Sequence, residues 1–150
     1  MQFIDLKKQQ AKIRTEIIDS ITEVLDRGSY ILGPEVKDLE NELASYTSSK
    51  YCLTTASGTD SLLMALLALG IEERDQIITT PFTWISTVEV IRLLGAEPVY
   101  CDIDPLTFNL DAEKLESLIT KKTKAIIPVS LFGQCADYDR INEIAENRDI

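Results

Sequence analysis

The sequence predicts an α/β fold with a mostly parallel sheet and helices on both faces, and two observations predict it. From residue 51 onward, short apolar runs alternate with longer stretches of helical periodicity, the pattern of repeated β-α units. Glycine or proline punctuates most of the changes: Gly70, Pro81, Gly95 and Pro105 each fall where one element hands over to the next. Parallel strands need crossover helices, and those helices cover the sheet on both sides.

Taken in order, residues 10–27 place Ile13, Ile17, Ile21 and Val24 on one helical face, and Gly28 ends that helix. Pro34 fits a first helical position, and Val36, Leu39 and Leu43 continue a second amphipathic helix. Residues 28–33 between them read as an ordered loop. Residues 1–50 therefore form an amino-terminal helical segment, and residues 51–150 begin an α/β domain. In that second part a strand is expected at 51–55, a helix at 57–69, a strand at 76–80 and a helix at 84–94. A short strand follows at 98–101, then a turn at Asp102-Ile103-Asp104-Pro105 and a helix at 112–119 capped by Asp111. A strand at 125–129 and a helix at 137–146, with Ile141 and Ile144 inward, complete the pattern. Asp149-Ile150 reads as the entry to a further strand, so the chain is expected to be an amino-terminal fragment, or a split product, of a longer enzyme with its sheet cut mid-pattern.

The 150 residues are enough for a domain with a real core, and 45% hydrophobic with 27% charged residues is ordinary for a globular protein. A net charge of -10 argues against general nucleic-acid binding, which needs basic surface to neutralise phosphates. No apolar run is long enough to span a bilayer, and the first residues lack a signal-peptide pattern. Cys52, Cys101 and Cys135 are odd in number and widely spaced, which fits reduced thiols in a cytoplasmic protein. Histidine is absent, which removes Ser-His-Asp and Cys-His nucleophilic chemistry and the commonest transition-metal ligand from this chain.

The stretch Ser57-Gly58-Thr59-Asp60 is the phosphate candidate. It stands between an expected strand and a long apolar helix, where free amides and the helix dipole favour an anion. An ordinary helix start capped by Ser57 is the plainer alternative. It is neither a P-loop nor a G-x-G-x-x-G turn. Trp84, in Pro81-Phe82-Thr83-Trp84, stands after the next strand and offers a ring to a flat heteroaromatic ligand; a core tryptophan at a helix start is the alternative. Gly28 and Tyr30 are candidates for the rim of a site or simply helix punctuation with a packing tyrosine. Asp102 and Asp104 read as turn residues rather than a metal pair. Gln134 is an amide on a strand-end loop, and Lys121, Lys122 and Lys124 fall at the amino end of a strand, away from the expected site.

The order and spacing of several pieces resemble one known family. They are Phe3-Ile4-Asp5-Leu6, Gly28-x-Tyr-Ile-Leu-Gly-Pro-Glu-Val36, Ser57-Gly-Thr-Asp60, Pro81-Phe-Thr-Trp84, Gly95-Ala-x-Pro-Val99 with Asp102-Ile-Asp-Pro105, and Thr123-Lys-Ala-Ile-Ile-Pro128 with Gly133-Gln134. Together the chain resembles the amino-terminal part of the DegT/DnrJ/EryC1/StrS sugar aminotransferases, whose cofactor is pyridoxal 5′-phosphate and whose fold is the fold-type I aminotransferase domain. Tyr30 to Val36, with the run from Pro128 to Asp137, is most similar to a branch that aminates C3 of a UDP-linked 3-oxo-N-acetylglucosaminuronate for surface polysaccharides such as O-antigen. Many members of the family carry His where this chain has Ser130, and Glu73-Arg74-Asp75-Gln76 departs from the usual Gly-Asp-Glu.

The resemblance implies that Ser57, Gly58 and Thr59 hold the cofactor phosphate and that Trp84 stacks on its ring. It implies that Gly28 and Tyr30 contact the nucleotide sugar. It further implies that the full-length protein is a cytoplasmic homodimer using a UDP-linked keto sugar and an amino-acid donor, expected to be glutamate, with no nucleic acid or membrane partner. The lysine and the aspartate that complete the chemistry follow the matched region in the family, so residues 1–150 alone are expected to be inactive. A homologue without the lysine, a sugar dehydratase, and a nucleotide-sugar-binding module are the alternatives.

Overall fold

The computed structural model describes residues 4–150; Phe3, where the resemblance begins, lies outside them. The chain forms two compact units, Met1–Thr54 and Thr55–Ile150.

In the first unit, α1 spans Leu6–Arg27 and α2 spans Pro34–Tyr46. Asp5 caps α1 by accepting the Lys8 amide at 3.1 Å. Gly28 ends it in the left-handed region at φ +71°, which glycine adopts without penalty. Gly33 is required for another reason: a Cβ there would lie 2.8 Å from the Ser29 carbonyl oxygen. The Arg27 guanidinium meets the Glu35 carboxylate at 2.6 Å across the same connection. No residue of α1 or α2 is buried.

The strand expected at 51–55 does not form. Extended apolar sequence becomes a strand only when a neighbour takes its backbone donors and acceptors. Here the Thr54 amide and hydroxyl both donate to Glu40 Oε1, at 2.9 and 3.0 Å. Tyr51 and Leu53 remain exposed.

The second unit contains α3 (Gly58–Ala68), β1 (Gln76–Thr79), α4 (Ser86–Leu93), β2 (Glu97–Tyr100), α5 (Ala112–Leu118), β3 (Thr123–Ile127) and α6 (Tyr138–Arg148). The sheet is parallel, in the order β2-β1-β3. Ile78 pairs with Val99 on one side and Ile126 on the other. Successive side chains of β1 point to opposite faces. Ile77 packs with Leu66, Val90 and Ile91 from α3 and α4, whereas Ile78 packs with Leu115, Ile141 and Ile144 from α5 and α6. The result is three layers, as the alternating pattern predicts. Each isoleucine is fully buried and contributes about 1.5–3 kcal/mol by leaving water.

One further expectation needs correction. Trp84 precedes its helix rather than starting it, because α4 begins at Ser86. The Phe82 amide is captured by Thr80 Oγ1 at 3.1 Å, which holds the chain in a turn after β1. At the end of α6, Asp149 is left-handed at φ 58° and the Ile150 amide returns to the Ala145 carbonyl at 3.1 Å, closing the helix.

Candidate functional site

The start of α3 is built by Ser57. Its backbone is extended, and its hydroxyl accepts the Asp60 amide at 3.1 Å while donating to Asp60 Oδ2 at 2.9 Å. The Ser57 carbonyl accepts the Ser61 amide at 3.0 Å. Thr55 steadies the approach: its hydroxyl donates to the Ser57 carbonyl at 2.9 Å and lies 2.6 Å from the Ser61 hydroxyl. The amides of Gly58 and Thr59 are thereby left without a partner among the described residues. Both residues are exposed, and a Cβ on Gly58 would meet nothing within 4 Å. Two free N–H groups at the positive end of a helix dipole suit a phosphate. The plain helix-cap reading of Ser57 and the phosphate reading of its neighbours are therefore compatible, because the cap consumes the Asp60 amide and leaves the two before it.

The far end of α3 fixes which way this start faces. The Ile71 amide closes on the Leu66 carbonyl at 3.1 Å, and residues 71–75 lead directly to the amino end of β1. The amino end of α3 consequently points toward the carboxyl ends of the strands, where open α/β sheets bind ligands. The Pro81–Trp84 turn leaves that same edge, and Trp84 is 76% exposed. It is not a core tryptophan.

Three residues that the sequence pattern does not link to one another tie the strand-end loops together. Phe82 follows β1, Phe108 follows β2 and Phe132 follows β3. Their rings form a triangle with centroid separations of 5.9, 6.4 and 5.9 Å. Asn109 is buried, and its side-chain amide donates to the carbonyls of Gln134 and Cys135 at 3.2 and 3.0 Å. These residues recur with no period, so nothing in the sequence pattern marks them as neighbours.

The charged groups nearby have structural duties. Asp104 accepts the amides of Thr107 at 2.8 Å and Leu106 at 2.9 Å, which holds its carboxyl below the usual range. Asp102 accepts the Ile103 amide, so the pair shapes a turn, as its sequence suggests. Lys114 meets Asp111 at 3.0 Å, and that hydrogen bond raises its pKa and keeps it protonated, the wrong state for a nucleophile. Lys122 and Lys124 flank the start of β3, at the opposite edge from Trp84. Burial raises the pKa of the Cys101 thiol. Gln134 contributes its carbonyl to Asn109.

Gly28 and Tyr30 belong to the first unit. Gly28 terminates α1, and the Tyr30 hydroxyl makes a long 3.5 Å hydrogen bond to the Leu25 carbonyl with its ring largely exposed.

Comparison with known proteins places these features in a family. The sequence pattern of the DegT/DnrJ/EryC1/StrS aminotransferase family matches residues 11–150. The chain is 56% identical over 145 residues to the UDP-2-acetamido-2-deoxy-3-oxo-D-glucuronate aminotransferase of Pseudomonas aeruginosa, covering 97% of this chain and 40% of that protein. A DegT DnrJ EryC1 StrS aminotransferase from Brucella abortus superposes with a TM-score of 0.94 at 42% identity, covering 99% of this chain and 42% of that one. NtdA from Bacillus subtilis, solved with bound cofactor PMP, superposes with a TM-score of 0.89 at 35% identity, covering 93% of this chain and 32% of its own. The chain thus spans about 40% of the length of the curated relative it matches. By sequence and by superposition alike, the chain belongs to the DegT/DnrJ/EryC1/StrS aminotransferase family.

Proposed function

We propose that these residues supply the cofactor-phosphate and ring-covering part of a nucleotide-sugar aminotransferase that moves an amino group, from glutamate, onto C3 of a UDP-linked 3-keto glucuronate. The observation that carries the reading is the pair of unpartnered amides at Gly58 and Thr59, on exposed residues at the carboxyl edge of a parallel sheet. The residues present fit pyridoxal 5′-phosphate: the donors are neutral backbone groups of the right polarity for a phosphate, and an exposed indole follows the next strand. When bound, the cofactor supplies the electron sink that makes the donor's α-hydrogen acidic.

In this reading the amides of Gly58 and Thr59 bind the phosphate, and the Thr59 hydroxyl adds a third donor. Ser57 orients both by capping α3, and Trp84 covers one face of the ring and excludes water from it. Gly28 and Tyr30 contact the nucleotide sugar. The similarity to the Pseudomonas aeruginosa enzyme supports the choice of sugar. Surface-polysaccharide synthesis, a cytoplasmic location and a homodimeric full-length protein belong to the same proposal. No helix among the described residues is long and apolar enough to cross a membrane.

The test uses Trp84, the single tryptophan of the chain, as reporter. Titration with pyridoxamine 5′-phosphate should quench its fluorescence, and Gly58→Ala should weaken binding by about tenfold or more, since a methyl placed in the phosphate position displaces donor contacts worth a charge-assisted hydrogen bond. The same substitution should not lower the melting temperature, because its Cβ meets nothing in the free protein and alanine restricts the unfolded chain more than glycine does. Equal affinity in the variant, or no quenching in the parent, would sink the assignment. For the longer protein carrying these residues, the mass change expected on amination of the UDP-linked 3-keto sugar, with glutamate as donor, checks substrate and donor together.

A further inference from the structure

We propose that Phe108, Asn109 and Phe132 act as positioning residues for Trp84, clamping the loop that carries it so that the indole is preorganised before any ligand arrives. The inference rests on the reading of Trp84 as the ring cover, and two independent contacts carry it. The first is the aromatic triangle. Phe82 is two residues before Trp84 in the same turn, and its ring is held by Phe108 at 5.9 Å and by Phe132 at 6.4 Å. The second is Asn109, which joins the loop after β2 to the loop after β3 through the carbonyls of Gln134 and Cys135. One side chain thereby locks together the two loops that present Phe108 and Phe132.

The backbone agrees with a fixed rather than an adaptable arrangement. Phe108 is left-handed at φ 61°, a conformation a bulky residue keeps only where its surroundings impose it. Its amide donates to the Asp104 carbonyl at 2.8 Å, and Asp104 is itself tied to the Leu106 and Thr107 amides. At the other end of the triangle Gly133, at φ 81°, turns the chain just after Phe132, and its amide reaches the Ser130 carbonyl at 3.0 Å.

The arrangement also explains why three apolar rings stay together at a partly exposed edge. Phe82 and Phe108 are about two-fifths exposed and Phe132 more so, yet each makes a tilted or edge contact with the other two. The crossovers after β1 and β3 leave the sheet toward opposite faces, with α4 on one and α6 on the other, which opens a crevice between their loops. The three rings link the loops that follow all three strands. A loop held this way does not have to be ordered when a ligand binds, so the ordering cost is met during folding rather than at binding.

The experiment follows Trp84 in the free protein and then with pyridoxamine 5′-phosphate. Phe132→Ala is the main variant, because that side chain is 69% exposed and its loss leaves the core intact. Time-resolved fluorescence anisotropy should show a larger amplitude of fast local motion for Trp84 in Phe132→Ala, Phe108→Leu and Asn109→Ala. Phe132→Tyr, which keeps the ring, should restore the parent value. Affinity for pyridoxamine 5′-phosphate should fall about three- to tenfold in the ring-deleted variants, the expected cost of ordering one or two side chains on binding. Parent-like Trp84 motion in folded Phe132→Ala would overturn the clamp even if the cofactor still quenched Trp84. Absence of quenching in the parent, with the motion altered in the variants, would instead overturn the cofactor reading and leave the clamp standing. If Asn109→Ala does not fold, Phe132→Ala decides alone.

Discussion

Helices α1 and α4 carry the same kind of sequence signal and differ in what they meet. In α1, a 22-residue helix, Ile13 and Ile21 of the apolar stripe are 44 and 55% exposed, Ile17 and Val24 are only half-buried, and Leu25 beside them is 59% exposed. In α4, only 8 residues long, Thr87, Val90 and Ile91 are buried, and the two aliphatic side chains pack against the sheet. Periodicity thus specifies that a helix forms and which stripe of it is apolar, but not what covers the stripe. A short helix with a sheet beneath it is anchored by burial, whereas the long one depends on caps, propensity and its own backbone ladder.

Core truncation separates the two most sharply. Ile91→Ala should destabilise the second unit by about 2–5 kcal/mol through lost burial and a cavity, whereas Leu25→Gln should change stability by about 0.5 kcal/mol or less. Chemical denaturation of both variants measures the contrast, and comparable losses would show that α1 is covered after all. The next largest effect is at the start of α3. Ser57→Ala removes the cap that takes the Asp60 amide, should cost about 0.5–2 kcal/mol, and should also weaken pyridoxamine 5′-phosphate binding because the neighbouring amides lose their alignment. A loss of affinity with no loss of stability would separate the two roles of that hydroxyl.

Acid provides the mildest test, and it acts in both units at once. Glu40 lies below its ordinary 4.5 because the Thr54 amide and then its hydroxyl donate to it. Asp104 lies below its ordinary 3.8 because the amides of Thr107 and Leu106 do the same. A carboxyl depressed in the folded state stabilises fully at pH above its ordinary value, and that stabilisation is lost as pH falls through the lowered folded value. Stability should therefore decline from about pH 4.5 downward. Glu40→Gln and Asp104→Asn should each flatten part of that decline, and a slope unchanged in both variants would show that neither group drives it.

The candidate site is legible in the sequence only where it is local. Ser57, Gly58 and Thr59 stand out because a small polar cap before an apolar helix acts within a few residues, and their two unpartnered amides follow from that cap. Trp84 is readable as a strand-end residue, although its exact place outside α4 depends on the turn in which Thr80 captures the Phe82 amide. The aromatic triangle and Asn109 are not readable, since their partners lie between 24 and 50 positions apart and no motif links them. The expected strand at 51–55 fails for a related reason: its apolar residues satisfy a local pattern, but a strand exists only through a neighbour, and the Thr54 amide finds Glu40.

By itself, the sequence determined the helices, the glycine and polar residues that bound them and the chemistry of the α3 start, because each depends on contacts within a few residues. Tertiary structure alone decided the β2-β1-β3 order, the opposite facing of Ile77 and Ile78, and the meeting of Phe82, Phe108 and Phe132. Those features arise from segments distant in the chain competing for the same backbone donors and the same buried space, a competition that local periodicity does not record.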